Sequence, residues 1–266
     1  MCFCLLKTIP MTDSTKIQIA WDAPIARITL HRPEKLNALD PEMLTALEAG
    51  LNLLEQRGDI RVIILRATGE KAFCVGADIK AWTALAPLQM WSEWIRHGHR
   101  VFSRLANLRQ PVICAIQGLA LGGGLELALA CDIRIASESA QFAMPEVKLA
   151  TVPGWGGTAR LPELVGPGRA RQMILSGEPI AAATAERWGL INEVVPGDQL
   201  VERVEELAKR IATNAPIAVQ TAKQLLAGGN TVTLESIAAA TNAFTKDAAE
   251  GLAAFREKRS PNFQGL

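Results

Sequence analysis

A run of glycines that ends in a carboxylate constrains this chain most. Gly118-Leu119-Ala120-Leu121-Gly122-Gly123-Gly124-Leu125-Glu126 separates two apolar stretches, Pro111 to Gln117 and Leu125 to Cys131. The first reads as a buried strand and the second as an apolar helix. Three glycines ahead of a helix let a ligand approach the backbone closely. Glu126 then stands among Leu125, Leu127, Ala128 and Leu129. A carboxylate there costs free energy unless it is paired or put to use. It is either a helix-end carboxylate satisfied locally or a functional group. The run is not a P-loop, because no Gly-Lys-Ser/Thr follows. It is not a dinucleotide fingerprint, because Leu127 stands where the third glycine belongs.

The rest of the chain alternates strands and helices, then turns helical. Ile17, Ile19 and Trp21, and then Ala26, Ile28 and Leu30, have the period of strands, and Asp22-Ala23-Pro24-Ile25 between them makes a hairpin. Asp40-Pro41 is a helix start, with apolar residues at Met43, Leu44, Leu47, Leu51 and Leu54 behind it. Val62 to Leu65 reads as a buried strand, Phe73 to Val75 as a short one, and residues 87 to 107 as a helix. Ile133 to Ala136 and Gln141 to Ala143 read as further strands. From Thr158 onward helices dominate, starting near Gly168, Ala181, Asp198, Pro216 and Thr233. The expected class is α/β: one core over residues 11–200, a helical C-terminal part over 201–266, and an extension at 1–10 that the fold does not need.

With 266 residues, nearly half of them apolar, the chain can bury a large core. A net charge of +1 argues against a general nucleic-acid or membrane surface. No window approaches membrane-spanning length. Cys2, Cys4, Cys74, Cys114 and Cys131 are odd in number and form no CxxC pair, which reads as reduced thiols in a cytoplasmic protein. His31, His97 and His99 lie outside the glycine-rich segments and no Gly-x-Ser-x-Gly elbow exists, so a serine hydrolase is excluded. No His/Cys/Asp cluster has ligand spacing, and no metal is expected.

Two more segments carry chemistry. Ala72-Phe73-Cys74-Val75-Gly76-Ala77-Asp78-Ile79-Lys80 ends a strand at a glycine before a possible helix, whose first N–H groups can donate to an oxyanion. Alone it reads as an ordinary turn. Phe142-Ala143-Met144-Pro145-Glu146 precedes another glycine-rich turn, Pro153-Gly154-Trp155-Gly156-Gly157-Thr158. Alone, Glu146 reads as a surface or helix-start charge; its interest lies in pairing with Glu126.

Together these segments, with Cys131-Asp132 and the tail Ala254-Phe255-Arg256-Glu257-Lys258-Arg259, resemble the enoyl-CoA hydratase/isomerase (crotonase) superfamily. The resemblance runs from about Ile17 to the C-terminus. It implies a crotonase-like spiral of ββα units with a helical C-terminal trimerisation region, assembled as a homotrimer or homohexamer. It implies an acyl-CoA thioester substrate and no cofactor beyond that coenzyme A. The backbone N–H groups of Ala77 and Gly123 map to the donors for the thioester oxygen. Glu126 maps to the base that activates water, and Glu146 to the acid that protonates the α-carbon. Presence of both glutamates points to an enoyl-CoA hydratase. The substrate-contacting positions implied are Lys35, Leu36, Asp78, Ile79, Lys80, Gly154, Trp155, Phe255 and Lys258. Lys80 reads equally as a solvated helix lysine, and Phe255 with Lys258 as part of an ordinary amphipathic helix. Trp155 lies where relatives carry a small residue; it either narrows the acyl pocket or packs outward. Trp82, Trp91 and Trp94 read as packing and lid residues.

Three other readings share these residues: a double-bond isomerase, a dehydratase for a specialised hydroxyacyl-CoA such as carnitinyl-CoA, and an RNA-binding protein on the same fold. The balanced charge gives the last little support.

Overall fold

A computed structural model describes residues 7–8, 15–228 and 232–266. The expectation for residues 1–10 falls outside these except at Lys7 and Thr8. The chain opens with β1 (Lys7–Thr8), β2 (Ile17–Asp22), β3 (Ile25–Leu30) and α1 (Pro41–Glu55). Next come β4 (Val62–Ala67), β5 (Ala72–Cys74), α2 (Ile79–Thr83), α3 (Pro87–Gln89), a wider π-helical turn over Met90–Ile95, and α4 (Arg96–Ala106). They are followed by β6 (Val112–Ile116), β7 (Leu119–Leu121), α5 (Gly123–Leu129), β8 (Ile133–Ser137) and β9 (Gln141–Ala143). The last part holds α6 (Gly157–Val165), α7 (Pro167–Ser176), β10 (Ile180–Ala181), α8 (Ala182–Arg187), β11 (Glu193–Val195), α9 (Leu200–Ala212), α10 (Pro216–Ala227), α11 (Val232–Ala243) and α12 (Lys246–Glu257).

The strands build two sheets. Seven take the order β1-β2-β3-β4-β6-β8-β11, and four take the order β10-β9-β7-β5. From β3 to β11 the large sheet is parallel. A long strand there is followed by a short strand in the small sheet and then by helix: β4-β5-α2, β6-β7-α5 and β8-β9-α6. This is the spiral of ββα units, and it matches the expected α/β class.

Besides β1, which pairs with β2 where the sequence reads only as an extension, three strands differ from the sequence reading. The glycine-rich run from Gly118 to Gly124 holds β7, and the part from Thr158 onward, where helices dominate as expected, also contains β10 and β11. All three are two or three residues long, too short to show a period of two.

Alternate residues of the large sheet face two cores. Ile63 and Leu65 join a large cluster with α1, α4 and α5. Val62, Ile64, Ile113 and Ile135 face Val204, Ala208 and Ala212 of α9. A parallel sheet covered on both faces explains why Val62 to Leu65 reads as a continuous apolar run. Asp40 caps α1 as expected: its carboxylate accepts the Met43 N–H at 2.9 Å.

The helices of the site begin where the short strands stop. A Cβ on Gly124 would lie 2.0 Å from the Cys74 carbonyl oxygen, and one on Gly76 2.9 Å from that of Leu121. Only glycine lets the β5–α2 and β7–α5 junctions touch backbone to backbone. A second brace comes from residues 37–39. Leu39 N–H donates to the Gly76 carbonyl at 2.8 Å, and Asp78 N–H donates to the Leu39 carbonyl at 2.7 Å. Asn37, fully buried and in the left-handed region at φ 56°, anchors that brace. Its amide donates to the carbonyls of Thr68 at 2.9 Å and Ala72 at 3.1 Å, and its oxygen accepts the Arg32 N–H at 2.9 Å.

Replacing Asn37 with Ala strands those buried partners, at roughly 1–3 kcal/mol each where water cannot reach them. A loss of about 3 kcal/mol in urea-unfolding free energy is expected; unchanged stability would show that the brace carries nothing.

Candidate active site

Glu126 lies in α5 and is 2% exposed. Its Oε1 accepts two backbone N–H groups from the glycine-rich turn before α6: Trp155 at 2.7 Å and Gly157 at 2.8 Å. Burial raises its pKa, while the N–H groups of Gly157, Trp155 and Gly154 pull the other way; the net shift is upward. The structure pairs Glu126 with donors distant in sequence and places it on a cavity wall.

Glu146 opens a 3-10 turn, Glu146–Leu149, directly behind Pro145. It is half-buried, and neither carboxylate oxygen has a hydrogen-bond partner among the described residues. A Cβ on Gly122 would come 3.0 Å from its Oε1, so it packs on the β7–α5 junction. Burial first, and then the negative charge of Glu126, push its carboxyl up to about 7. Both carboxyls are raised, but they are held differently: Glu126 accepts N–H groups from the turn before α6, which favour its anion, whereas only the N–H of Glu146 itself pulls its carboxyl down.

Both line one cavity of about 110 Å³, together with Ala77, Gly123, Gly154 and Trp155. Gly123 is the first residue of α5, so its N–H has no partner within the helix. Ala77 bridges Leu39 in parallel fashion through the Gly76 carbonyl and the Asp78 N–H. In that pairing its own N–H faces away from Leu39. Ile79, Leu149 and Val152, each half or more exposed, mark the mouth.

The remaining expected positions scatter. Asp78 caps α2 by accepting the Lys80 N–H at 3.0 Å and pairs with Arg32 at 2.8 Å. Burial pushes its carboxyl up, but Arg32 and that N–H outweigh burial and hold it below its usual range. Lys35 and Lys80 are exposed, and Leu36 borders a separate cavity of about 450 Å³ beside Thr68 and Lys71. Phe255 and Lys258, at the end of α12, are exposed and do not line the cavity that holds Glu126 and Glu146. Trp155 packs inward, not outward. Trp82 and Trp94 line the cavity, whereas Trp91 is 60% exposed. Sequence reasoning missed Met90 and Ile95 in the wall, which the π-helical turn brings there, and the two N–H donors to Glu126. The Gly156-Gly157 pair was the available signal for those donors.

A larger cavity of about 590 Å³ lies beside α9 and contains Arg66, but none of the expected site residues borders it. Among the described residues no group of three or more His, Cys, Asp or Glu side chains is placed to hold a metal ion. Among the same residues no helix is long and apolar enough to cross a membrane.

With this geometry in view, comparison with known proteins gives a consistent result. Residues 21–266 match the family model described as Enoyl-CoA hydratase/isomerase. A short-chain-enoyl-CoA hydratase of Clostridium acetobutylicum is 40% identical over 244 residues, covering 90% of this chain and 93% of that protein. An (E)-benzylidenesuccinyl-CoA hydratase of Thauera aromatica is 39% identical over 248 residues, covering 91% and 95%. The crystal structure of an enoyl-CoA hydratase from Bacillus anthracis superposes with a TM-score of 0.92 at 40% identity, covering 94% of this chain and 100% of that one. The chain belongs to the enoyl-CoA hydratase/isomerase family.

The Glu126 bonds make a stability prediction. Glu126→Ala leaves two buried N–H groups without an acceptor and is expected to cost about 3 kcal/mol of unfolding free energy. Glu126→Gln keeps a carbonyl acceptor and is expected to cost less than half of that. Equal losses in denaturant titrations would contradict the bonding described.

Proposed function

We propose that this protein adds water reversibly and with syn geometry across the double bond of a 2-enoyl-CoA thioester, giving 3-hydroxyacyl-CoA, with Glu126 and Glu146 as the catalytic pair. It is an enoyl-CoA hydratase, a carbon–oxygen lyase, in keeping with relatives that carry that activity in their names. The observation that carries the catalytic assignment is the pair of unlike carboxyls on one narrow cavity beside two backbone N–H groups.

In this reading the thioester oxygen sits between the N–H groups of Ala77 and Gly123. Negative charge collects there when the β-carbon is attacked. Each preorganised donor of this kind supplies about 3 kcal/mol of transition-state stabilisation. Glu126, ionised and oriented by Trp155 and Gly157, takes a proton from water as its oxygen bonds to the β-carbon. Glu146, protonated, delivers a proton to the α-carbon. One proton leaves water and one enters carbon, and a transfer from Glu126 to Glu146 resets the pair.

The reading extends beyond the cavity. Coenzyme A runs out past Ile79 along Lys80, Lys35 and Leu36, near the Asp78 cap, with Gly154 at the reacting end. Phe255 and Lys258 serve a neighbouring subunit of a homotrimer or homohexamer. Exposed Leu226, Phe244 and Phe255, each more than 80% accessible, support burial of the 201–266 region between subunits. The free, buried thiols of Cys74, Cys114 and Cys131 support a cytoplasmic location.

Glu126→Gln and Glu146→Gln are each expected to lose several orders of magnitude in crotonyl-CoA hydration, followed by loss of enoyl-thioester absorbance, while staying folded. Near-normal turnover by either defeats the assignment, and double-bond migration without hydration would make the protein an isomerase. Hydration needs Glu146 protonated. Its raised pKa means that form is full well below about 7 and is lost as pH rises through that value. A fall in kcat/KM of about tenfold per pH unit on the alkaline side is therefore expected. A flat profile there contradicts the role given to Glu146.

A further inference from the structure

The indole of Trp155 is wedged between two glycines. Gly98 lies inside α4, and a Cβ there would fall 2.3 Å from both Cε2 and Nε1 of Trp155. At the other edge of the ring, a Cβ on Gly123 would fall 2.6 Å from Cζ3 and 2.7 Å from Cε3. Gly123 carries one of the N–H groups assigned to the thioester oxygen. The ring is held in place by Trp94 and Phe102, with centroids at 5.2 and 5.1 Å.

Two costs come with this arrangement. A glycine inside a helix is less stable than an alanine there. The Trp155 Nε1–H is buried with no partner among the described residues, and an unpaired buried donor is destabilising. Stability alone does not account for a residue that brings both. The shape of the cavity does. Ile79, Leu149 and Val152 are 50%, 52% and 67% exposed and form the entrance, while Trp155 and Trp94 are 3% and 4% exposed and close the inner side. The space left, about 110 Å³, is well below the roughly 300–1,000 Å³ of an ordinary small-molecule pocket.

We propose that Trp155, seated by Gly98, is the inner wall of the acyl site and restricts this hydratase to short-chain enoyl thioesters. The proposal rests on the hydratase reading above. The indole occupies the volume into which a longer acyl chain would extend, beside the carbonyl-binding Gly123. Gly98 keeps the ring back from the substrate; a side chain at that position drives it into the cavity.

The test is a chain-length panel on the full protein: wild type, Trp155→Ala, Gly98→Ala and the double variant, each with crotonyl-CoA and 2-decenoyl-CoA. Wild type is expected to favour crotonyl-CoA by about a hundredfold in kcat/KM, and Trp155→Ala to cut that ratio at least tenfold, magnitudes typical of pocket-size discrimination. Gly98→Ala is expected to lower turnover of both substrates, and Trp155→Ala on that background to recover it. Trp155→Leu serves if the alanine variant fails to fold. Equal efficiency of wild type on both substrates, or an unchanged ratio in the Trp155 variants, overturns the proposal. Calorimetric binding of butanoyl-CoA and decanoyl-CoA reads the same ratio without turnover. A protein that discriminates between these ligands but hydrates neither enoyl thioester keeps the wall and loses the hydratase reading.

Discussion

One carboxylate oxygen accepting two main-chain N–H groups organises the centre of this protein. Glu126 Oε1 joins α5 to the turn before α6 through Trp155 and Gly157, across 29 and 31 residues of chain. Without that acceptor the turn would bury N–H groups that nothing else among the described residues meets. Without the turn the carboxylate would be a buried anion with no compensation. The same bonds orient the oxygen and favour its charged form. One contact thus serves both the packing and the proposed chemistry.

The surroundings supply the contrast. Glu146, one ββα unit further along, lines the same cavity; burial and the nearby anion outweigh the pull of its own N–H and push its carboxyl up to about 7. The backbone provides the rest. Close approach of the β5–α2 and β7–α5 junctions, permitted by Gly76 and Gly124, brings two helix starts to one point. Asn37 and Leu39 hold them there from outside. The spiral repeat is what makes this possible, because each turn of it delivers a short strand and a helix start to the same side of the large sheet.

Much of this was legible in the residues. The β2–β3 hairpin, the Asp40–Pro41 helix start and the continuous strand at Val62 to Leu65 follow from period, capping and burial on both faces. Glu126 stood out as a charge in an apolar helix, and Glu146 gained meaning only beside it. Other features were not legible because they depend on distant partners. Three-residue strands such as β7 are fixed by neighbours, not by their own pattern. The inward set of Trp155 depends on the gap left by Gly98, 57 positions earlier in sequence, which looks like any helical glycine until the indole is placed on it. Lys35 and Lys80 are exposed in this chain, and nothing local distinguishes them from other surface lysines.

The proposed chemistry requires two neighbouring carboxyls that differ in protonation. The most direct measurement is an NMR pH titration of protein isotope-labelled at its glutamate carboxyl carbons, compared with the same protein carrying Glu146→Gln. One resonance should titrate with a midpoint of about 7 and vanish in the variant. A titration in which every glutamate turns over near its ordinary value of about 4.3, or one in which the substitution leaves every raised midpoint in place, would contradict it.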